Sequence, residues 1–244
     1  MKSIKNAEQP ILITVPYAGG SSAGFVQLTS KIRNVTAFNY DYPGHGRRVG
    51  EEFAESLFAI AEELAKEIVK LSPEDQKFYI LGHSMGAIVA FYCESLLEQE
   101  YQLSAERIFL SACLPPEKFY ENRIMFKTEE ELYNYLRESR KIPEAVMNSP
   151  IFQKNILEQF KQDIRLIKEY IPLDNIQITA PVTCFCGSED DGVEVKGMAG
   201  WRAYTKGSSD IYEIPGDHFF IESNAEMVVS EISRYMNQKK RGVV

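Results

Sequence analysis

The segment that most constrains the fold of this chain is residues 77–97, KFYILGHSMGAIVAFYCESLL. A short apolar run, Phe78 to Leu81, enters the pentapeptide Gly82–Gly86, and a pattern typical of an amphipathic helix follows it. A G-x-S-x-G sequence between a strand and a helix forms a tight turn that exposes the serine hydroxyl at the helix N-terminus. We therefore predict that Ser84 is a nucleophile, because the flanking strand and helix make a chance pentapeptide the weaker explanation.

Strand and helix patterns alternate along the rest of the chain. Apolar residues spaced by three and four predict a helix from Phe53 to Leu71, and Trp201 is expected on a further helix. Other helices are predicted at 85–97 and 225–236, and strands at 11–15, 35–40, 78–81, 107–112, 182–186 and 211–214. This alternation predicts an α/β fold with a mostly parallel sheet and helices on both faces. The length of 244 residues fits one domain, residues 1–244.

One region departs from this alternation. From Pro115 to Pro172 no strand pattern occurs, and helices are predicted at Glu129–Glu138 and Ile151–Tyr170. An insertion of this kind after a central strand caps the carboxyl edge of the sheet, where it can form a lid. We therefore predict a helical lid at about residues 115–172, which is compatible with an ordinary packed helical subdomain.

Composition excludes several classes of protein. The net charge of −8 argues against nucleic acid and anionic membranes as partners. No apolar run is long enough to span a bilayer or to form a signal peptide, so we predict a soluble, cytoplasmic protein. The sequence does not fix the oligomeric state, and we expect a monomer. The four cysteines lie in apolar surroundings, and the pair Cys184-x-Cys186 lacks a second ligand pair, so no metal and no cofactor are expected.

A serine nucleophile needs a general base, and the chain contains three histidines. His83 adjoins Ser84 within the turn, so its ring cannot easily reach the serine oxygen, and His45 lies in an early loop. His218 follows the last predicted strand, where the base of this architecture lies. We predict His218 as the base, with an ordinary surface histidine as the alternative.

The base in turn needs an acid that orients it. The strand at 182–186 is followed by three candidates: Glu189, Asp190 and Asp191. The pattern G-x-x-D-x-x-V selects Asp190, Asp191 remains an alternative, and Asp217 beside the histidine is expected to be structural. The chain order then matches the nucleophile, acid and base order of the α/β-hydrolases: Ser84, Asp190 and His218.

Acyl transfer also needs hydrogen-bond donors for an oxyanion. One is the backbone N–H of Met85, immediately after the nucleophile, and the second comes from the loop after an early strand. That loop reads PYAGG (16–20), and its glycines allow the backbone to approach a substrate closely. We predict the N–H of Ala18 as the second donor, with Tyr17 as its possible replacement and a plain turn as the alternative.

Five motifs occur in order: PYAGGSS (16–22), YPGHGRR (42–48), GHSMG (82–86), GSEDDGV (187–193) and GDHFF (216–220). Together they resemble the type II thioesterases encoded beside nonribosomal peptide and polyketide synthetases, from about Ile11 to the last helix. The stretch Phe160-x-x-Asp163-x-x-Leu166 resembles the lid of that family, as does Trp201. Where the family often has a Gly-Gly-Thr-Pro-like turn, this chain reads SRKIP (139–143), which leaves the acyl preference open.

The resemblance implies an editing thioesterase that hydrolyses acyl groups from the phosphopantetheine arm of carrier-protein domains. The family's nucleophile, acid and base correspond to Ser84, Asp190 and His218, and its oxyanion donors to Ala18 and Met85. The pantetheine belongs to the substrate, so the enzyme itself needs no cofactor.

Two other classes share parts of this pattern. A small-molecule esterase, an acyl-CoA thioesterase or an acyltransferase would use the same residues, because water, alcohols and amines compete for one acyl-enzyme. A carrier-binding module without catalysis is disfavoured by the complete set of residues. Dehalogenases and epoxide hydrolases are excluded because they need a carboxylate in place of Ser84.

Carrier proteins are usually acidic, as this chain is, so attraction between them depends on local basic residues. Such residues occur in an early loop and in the predicted lid: Arg47, Arg48, Arg123, Lys127, Arg137, Arg140 and Lys141. We hypothesise that the lid cations contact the carrier or its phosphate, and solubilising surface charge is the equal alternative.

Overall fold

The core of the fold is a six-stranded parallel sheet. This computed structural model describes residues 9–72, 76–123, 125–139 and 144–237. The strands are β1 Ile11–Val15, β2 Thr36–Asn39, β3 Phe78–His83, β4 Arg107–Ser111, β5 Val182–Gly187 and β6 Ser209–Ile214. They lie in the order β2-β1-β3-β4-β5-β6, which confirms the predicted α/β fold with its mostly parallel sheet.

Helices connect the strands and cover the sheet. Their bounds are α1 Ala23–Thr29, α2 Leu57–Leu71, α3 Met85–Glu100, α4 Pro116–Asn122, α5 Glu129–Ser139, α6 Glu144–Met147, α7 Leu157–Glu169, α8 Val195–Met198, α9 Phe220–Ser223 and α10 Ala225–Met236. A 3₁₀ helix at Ala199–Tyr204 contains Trp201, so this residue is helical as predicted, in the tighter form.

The two faces of the sheet carry separate apolar clusters, because successive strand residues point to opposite sides. In β1, Ile11 and Ile13 join the cluster formed with α2 and α3, whereas Leu12 joins the cluster formed with α1, α9 and α10. Both faces are thus covered by helices, as the sequence predicts.

Helices α2 and α3 differ from their predicted form. Helix α2 begins at Leu57 and not at Phe53, because the Ser56 hydroxyl accepts the Ala59 N–H at 3.0 Å and caps the helix there. Helix α3 is buried on all sides from Met85 to Leu97, so it is not amphipathic. It lies between the sheet and α2 at the centre of the molecule.

Residues 115–172, called the helical segment below, contain α4 to α7, and their described part has no strand, as predicted. The segment has its own apolar cluster: Leu132, Leu136, Met147, Phe152, Leu157 and Phe160. The predicted continuous helix Ile151–Tyr170 is interrupted by a π-helical turn at Phe152–Ile156, which precedes α7. Residues 140–143, where the family pattern departs, lie outside the described residues.

The strand order reverses direction between β1 and β3. The chain goes from β1 to β2 on one side and then to β3 on the other, so the loops after β1 and β3 diverge at their carboxyl ends. Such a switch point is where open α/β sheets form a crevice for ligands. The register pairs Val15 with Gly82, which brings the loop after Val15 beside the turn that holds Ser84.

All four cysteines are buried as free thiols: Cys93, Cys113, Cys184 and Cys186. In the described ranges, no group of three or more His, Cys, Asp or Glu side chains has the arrangement of a metal site. None of the helices in these ranges combines the length and apolar character that a membrane span requires.

Candidate active site

Ser84 lies in the turn between β3 and α3 in a conformation that side-chain-bearing residues rarely adopt, with φ 54° and ψ −124°. Its N–H donates to the Ser111 carbonyl at 2.8 Å, which keeps the turn attached to the sheet. A Cβ at Gly82 would lie 2.2 Å from the Gly86 carbonyl oxygen, and one at Gly86 would lie 2.2 Å from that of Val15. Only glycine fits at both positions, and α3 therefore begins directly beside the end of β1.

A series of hydrogen bonds extends from Ser84 through His218 to Asp190. The Nε2 of His218 lies 3.0 Å from the Ser84 Oγ, and its Nδ1 lies 2.7 Å from the Asp190 Oδ2. A carboxylate only accepts, so it retains the proton on Nδ1 and leaves Nε2 free to accept from the serine hydroxyl. The arrangement can therefore take a proton from Ser84 and stabilise the imidazolium that results.

Of the three acidic residues after β5, the one that reaches the histidine is Asp190. Its side chain is 4% exposed, and its other oxygen accepts the Gly192 N–H at 3.1 Å. Asp191 is exposed at the edge of the cavity described below, and Asp217 accepts the Phe219 N–H at 2.9 Å. The carboxylate that accepts the hydrogen bond from His218 is thus that of Asp190 and not that of Asp191.

The other two histidines are bound elsewhere. The Nδ1 of His83 lies 2.8 Å from the Ser111 Oγ, and the ring packs edge-on against Tyr17. The Nε2 of His45 lies 3.1 Å from the Asp163 Oδ2. Within the described residues, the histidine that contacts the Ser84 hydroxyl is His218.

The loop after β1 forms a tight turn, called the Tyr17–Gly20 turn below. The Gly20 N–H donates to the Tyr17 carbonyl at 2.9 Å, and Gly19 has a φ of 68°, which favours glycine. In the described part of the chain, the Ala18 N–H makes no hydrogen bond. The Met85 N–H is the first of α3 and has no partner within its helix. Both predicted oxyanion donors are thus free to receive a ligand.

A cavity of about 360 Å³ opens over Ser84 and His218. Its wall includes the apolar side chains of Cys113, Leu114 and Phe119. Helices α4 and α5 of the helical segment contribute to this wall, so the segment lies over the nucleophile. A mostly apolar chamber beside a nucleophile suits an acyl chain.

Asp163 and His45 form a pair in this region that the sequence did not predict to take part in the site. Asp163 of α7 is 1% exposed and accepts the Gly19 N–H at 2.7 Å, besides its contact with His45. Burial lowers the pKa of His45, but the hydrogen bond and the charge of Asp163 outweigh it and raise that pKa above its ordinary value. A sequence signal did exist, because Asp163 lies one turn after Phe160 on the buried stripe of an amphipathic helix.

The basic residues singled out in the sequence are partly neutralised. Arg47 donates to Asp41 at 2.8 Å, and Arg48 is paired with Glu51 and Glu63. Arg140 and Lys141 lie outside the described residues, so their predicted contact with a carrier stays a prediction.

A parallel sheet with a switch point, a strained serine after its third strand, and an aspartate and a histidine after later strands define a hydrolase of the α/β-hydrolase class. The chain belongs to the thioesterase domain family, whose model matches residues 10–236.

Curated relatives are similar over most of their length. The medium-chain S-acyl fatty acid synthase thioesterase of Rattus norvegicus is 27% identical over 216 residues, which cover 86% of this chain and 81% of that protein. The gramicidin S biosynthesis protein GrsT of Aneurinibacillus migulanus is 27% identical over 229 residues, which cover 93% of this chain and 89% of that protein.

Solved structures share the fold. BorB, a type II thioesterase from the borrelidin biosynthetic cluster, superposes with a TM-score of 0.83 at 22% identity, covering 95% of this chain and 94% of that chain. ClbQ, from the colibactin NRPS/PKS pathway, superposes with a TM-score of 0.81 at 22% identity, covering 94% of this chain and 97% of that one.

Proposed function

We propose that this protein is an editing thioesterase that hydrolyses acyl groups from the phosphopantetheine arm of carrier-protein domains. The observation that carries the proposal is the hydrogen-bonded series of Ser84, His218 and Asp190 in a chain of the thioesterase family. The relatives support the carrier as the partner, since one is named for gramicidin S biosynthesis, ClbQ comes from an NRPS/PKS pathway and BorB is a type II thioesterase of a biosynthetic cluster.

In the proposed reaction, the Ser84 hydroxyl attacks the thioester carbonyl while His218 takes its proton. The N–H groups of Ala18 and Met85 stabilise the oxyanion, and Asp190 stabilises the imidazolium. His218 then returns the proton to the departing thiolate of the pantetheine arm, which leaves an acyl-enzyme.

In the second half of the reaction, His218 removes a proton from water, which attacks the acyl-enzyme. As the ester bond to Ser84 breaks, His218 returns the proton to the Ser84 oxygen and the free acid is released. The apolar cavity over Ser84 receives the acyl chain, and the helical segment acts as a lid that limits its length. The reaction needs no cofactor on the enzyme. The cytoplasmic location, the monomeric state, the single domain, and the absence of nucleic-acid and membrane partners stay predictions.

The proposal is tested with a carrier domain that bears acetyl-phosphopantetheine, by following the loss of the acetyl group with intact-protein mass spectrometry. We expect Ser84→Ala to lower kcat by about 10³-fold or more, because it removes the nucleophile. Ser30→Ala, which changes an exposed serine on α1's C-terminal side, serves as the control and should keep full activity. Full activity in Ser84→Ala would contradict the mechanism.

The second candidate, an esterase or acyltransferase acting on small molecules, uses the same residues. It is distinguished by comparing acetyl-carrier, acetyl-CoA and a small acetyl ester as substrates, and by analysing products with an alcohol or amine present. A higher kcat/KM for the carrier, with the free acid as sole product, supports the editing role. An ester or amide product supports the acyltransferase.

Carrier binding is tested by reversing two charges of the predicted lid, Arg140→Glu with Lys141→Glu. We expect kcat/KM to fall several-fold, by about 1 kcal/mol, for the carrier-bound substrate and to stay unchanged for a small acyl thioester. The matched control reverses two exposed lysines elsewhere, Lys196→Glu with Lys206→Glu. Equal losses on both substrates would show that the cations have no role in docking.

A further inference from the structure

Asp163 is a buried carboxylate that the proposed chemistry does not use. Its Oδ2 accepts the Gly19 N–H at 2.7 Å and lies 3.1 Å from the Nε2 of His45. The side chains of His45 and Asp163 are only 1% and 2% exposed. Burying a carboxylate costs free energy unless it is paired and hydrogen-bonded. The contacts that Asp163 makes here are therefore the reason to look for a role of this residue.

The hydrogen bonds define the protonation of His45. Its Nδ1 lies 3.0 Å from the Pro43 carbonyl, which can only accept, so Nδ1 carries a proton. Its Nε2 faces an oxygen of Asp163 that already accepts from Gly19, so Nε2 also carries a proton. His45 is therefore held as a cation by two acceptors, and it cannot act as a base in this position.

The remaining groups around this ion pair are neutral. The rings of Tyr42 and Phe53 pack edge-on against His45. Burial raises the pKa of Tyr42 well above its ordinary value, so its hydroxyl stays protonated. From α7, Gln159 donates its side-chain amide to the Gly44 carbonyl at 2.9 Å. In the described part of the chain, Asp163 is therefore the charged group that balances His45.

The ion pair holds the Tyr17–Gly20 turn from one side. The Asp163 bond to Gly19 fixes the peptide plane that follows Ala18, the residue predicted as the second oxyanion donor. One helical turn earlier, Phe160 leaves no space at Gly19, where a Cβ would lie 2.9 Å from its ring. On the other side, the Tyr17 hydroxyl donates to Glu222 at 2.5 Å.

We propose that Asp163, held by the protonated His45, is a positioning residue that orients the Ala18 N–H toward the oxyanion. This inference rests on the proposed function, because it assumes an oxyanion formed at Ser84. It gives α7 of the helical segment an indirect role in the chemical step, because this helix sets the geometry of one oxyanion donor. A donor displaced by about 1 Å loses most of its value in the transition state.

The main test compares Asp163→Asn with Gln159→Met, using a small acyl thioester. Both residues lie on α7 and hydrogen-bond to a loop of the core: Asp163 accepts from Gly19 in the Tyr17–Gly20 turn, and Gln159 donates to the Gly44 carbonyl. We expect Asp163→Asn to lower kcat by about 10- to 100-fold with KM changed less than about two-fold, because the ground state does not use the oxyanion donor. Gln159→Met should keep kcat within about two-fold of the wild type. Equal losses in both variants, or an unchanged kcat in Asp163→Asn, would overturn the proposal.

A boronic acid that forms a tetrahedral anion on the serine reports the oxyanion site directly. Its inhibition constant should rise in Asp163→Asn by the same factor by which kcat/KM falls, while the affinity for the carboxylate product stays constant. A parallel loss of product affinity would indicate a merely structural role and overturn the proposal.

Should Asp163→Asn fail to fold, two variants of His45 carry the same test. His45→Gln keeps a donor toward Asp163, whereas His45→Phe keeps the ring contacts and loses the donor. We expect a lower kcat for His45→Phe than for His45→Gln, and equal values would overturn the proposal. Ser84→Ala distinguishes failure of the positioning role from failure of the proposed function. If Ser84→Ala is inactive while the Asp163 and His45 variants match the wild type, only the positioning role is wrong. If Ser84→Ala is active, the proposed mechanism itself is wrong.

Discussion

The described residues include two histidine–aspartate pairs, one made through Nδ1 of the ring and the other through Nε2, and their chemistry differs. In one, His218 lies 2.7 Å from Asp190, and in the other His45 lies 3.1 Å from Asp163. The difference is the partner of the second ring nitrogen. For His218 it is the Ser84 hydroxyl, which can donate a proton, and for His45 it is the Pro43 carbonyl, which cannot.

Exposure separates the two pairs further. The His218 side chain is 25% exposed and faces the cavity over Ser84, whereas the His45 side chain is 1% exposed. A base must exchange protons with substrate and water, so it needs this access. A buried cation that holds a loop must instead be kept away from substrate and water. The same two residue types therefore form a proton acceptor in one place and a fixed ion pair in the other.

The two pairs should differ most in how much activity is lost when the histidine is replaced. We expect His218→Gln to lower kcat/KM by about 10⁴-fold or more, because among the described residues His218 is the base hydrogen-bonded to the Ser84 hydroxyl. His45→Gln should cost less than about ten-fold, since glutamine still donates to Asp163. Steady-state kinetics on one acyl thioester measure both. Comparable losses would show that the two pairs do not differ in role.

The next largest expected effect is the loss of kcat when an acidic residue after β5 is replaced. Asp190→Asn should lower kcat by about 10³- to 10⁴-fold, because asparagine favours the wrong tautomer of His218. Asp191→Asn, a change in an exposed neighbour, should leave kcat within about two-fold, which would also settle the alternative left open by the sequence. A larger loss in Asp191→Asn than in Asp190→Asn would transfer the role to Asp191.

The sequence was sufficient to predict the sheet, because buried parallel strands are short apolar runs that alternate with helices. It misplaced the start of α2, since apolar spacing continues back to Phe53 while the N-cap at Ser56 makes the helix begin at Leu57. It also could not reveal that α3 is buried on all sides, which depends on what packs around it. The π-helical turn before α7 leaves the apolar periodicity nearly unchanged and was missed for that reason.

For the site, local motifs were enough to predict which residues the structure brings together, provided that each residue lies just after the end of a strand. Ser84, Asp190 and His218 each follow a strand of one parallel sheet, so topology brings them to the same edge. Asp163 and His45 are separated by 118 residues, and their contact depends on how α7 packs against the core. In the sequence, this contact was indicated only by Asp163, a charged residue on the buried stripe of α7. Nothing in the sequence identified His45 as its partner.

The smallest expected effect is a pH dependence of stability that the buried pair of His45 and Asp163 should produce. Folding raises the pKa of His45 above its ordinary value of 6.5, since Asp163 outweighs the cost of burial. Its contribution to stability is therefore complete below about pH 6.5 and is lost as the pH rises through the folded value. We expect the free energy of unfolding of the wild type, relative to His45→Phe/Asp163→Leu, to fall with rising pH. The slope should not exceed about 1.4 kcal/mol per pH unit, the limit for one proton.

Urea unfolding at several pH values from about 6 to 9 measures this slope. Removing both charges in one variant leaves no unpaired carboxylate, so the pH dependence of the difference belongs to the pair in the wild type. Gln159→Met is the control, because it removes an uncharged contact of the same helix and should shift stability equally at every pH. A flat difference for the double variant would mean that His45 is neutral in the folded protein. The two histidines would then differ in access alone and not in charge.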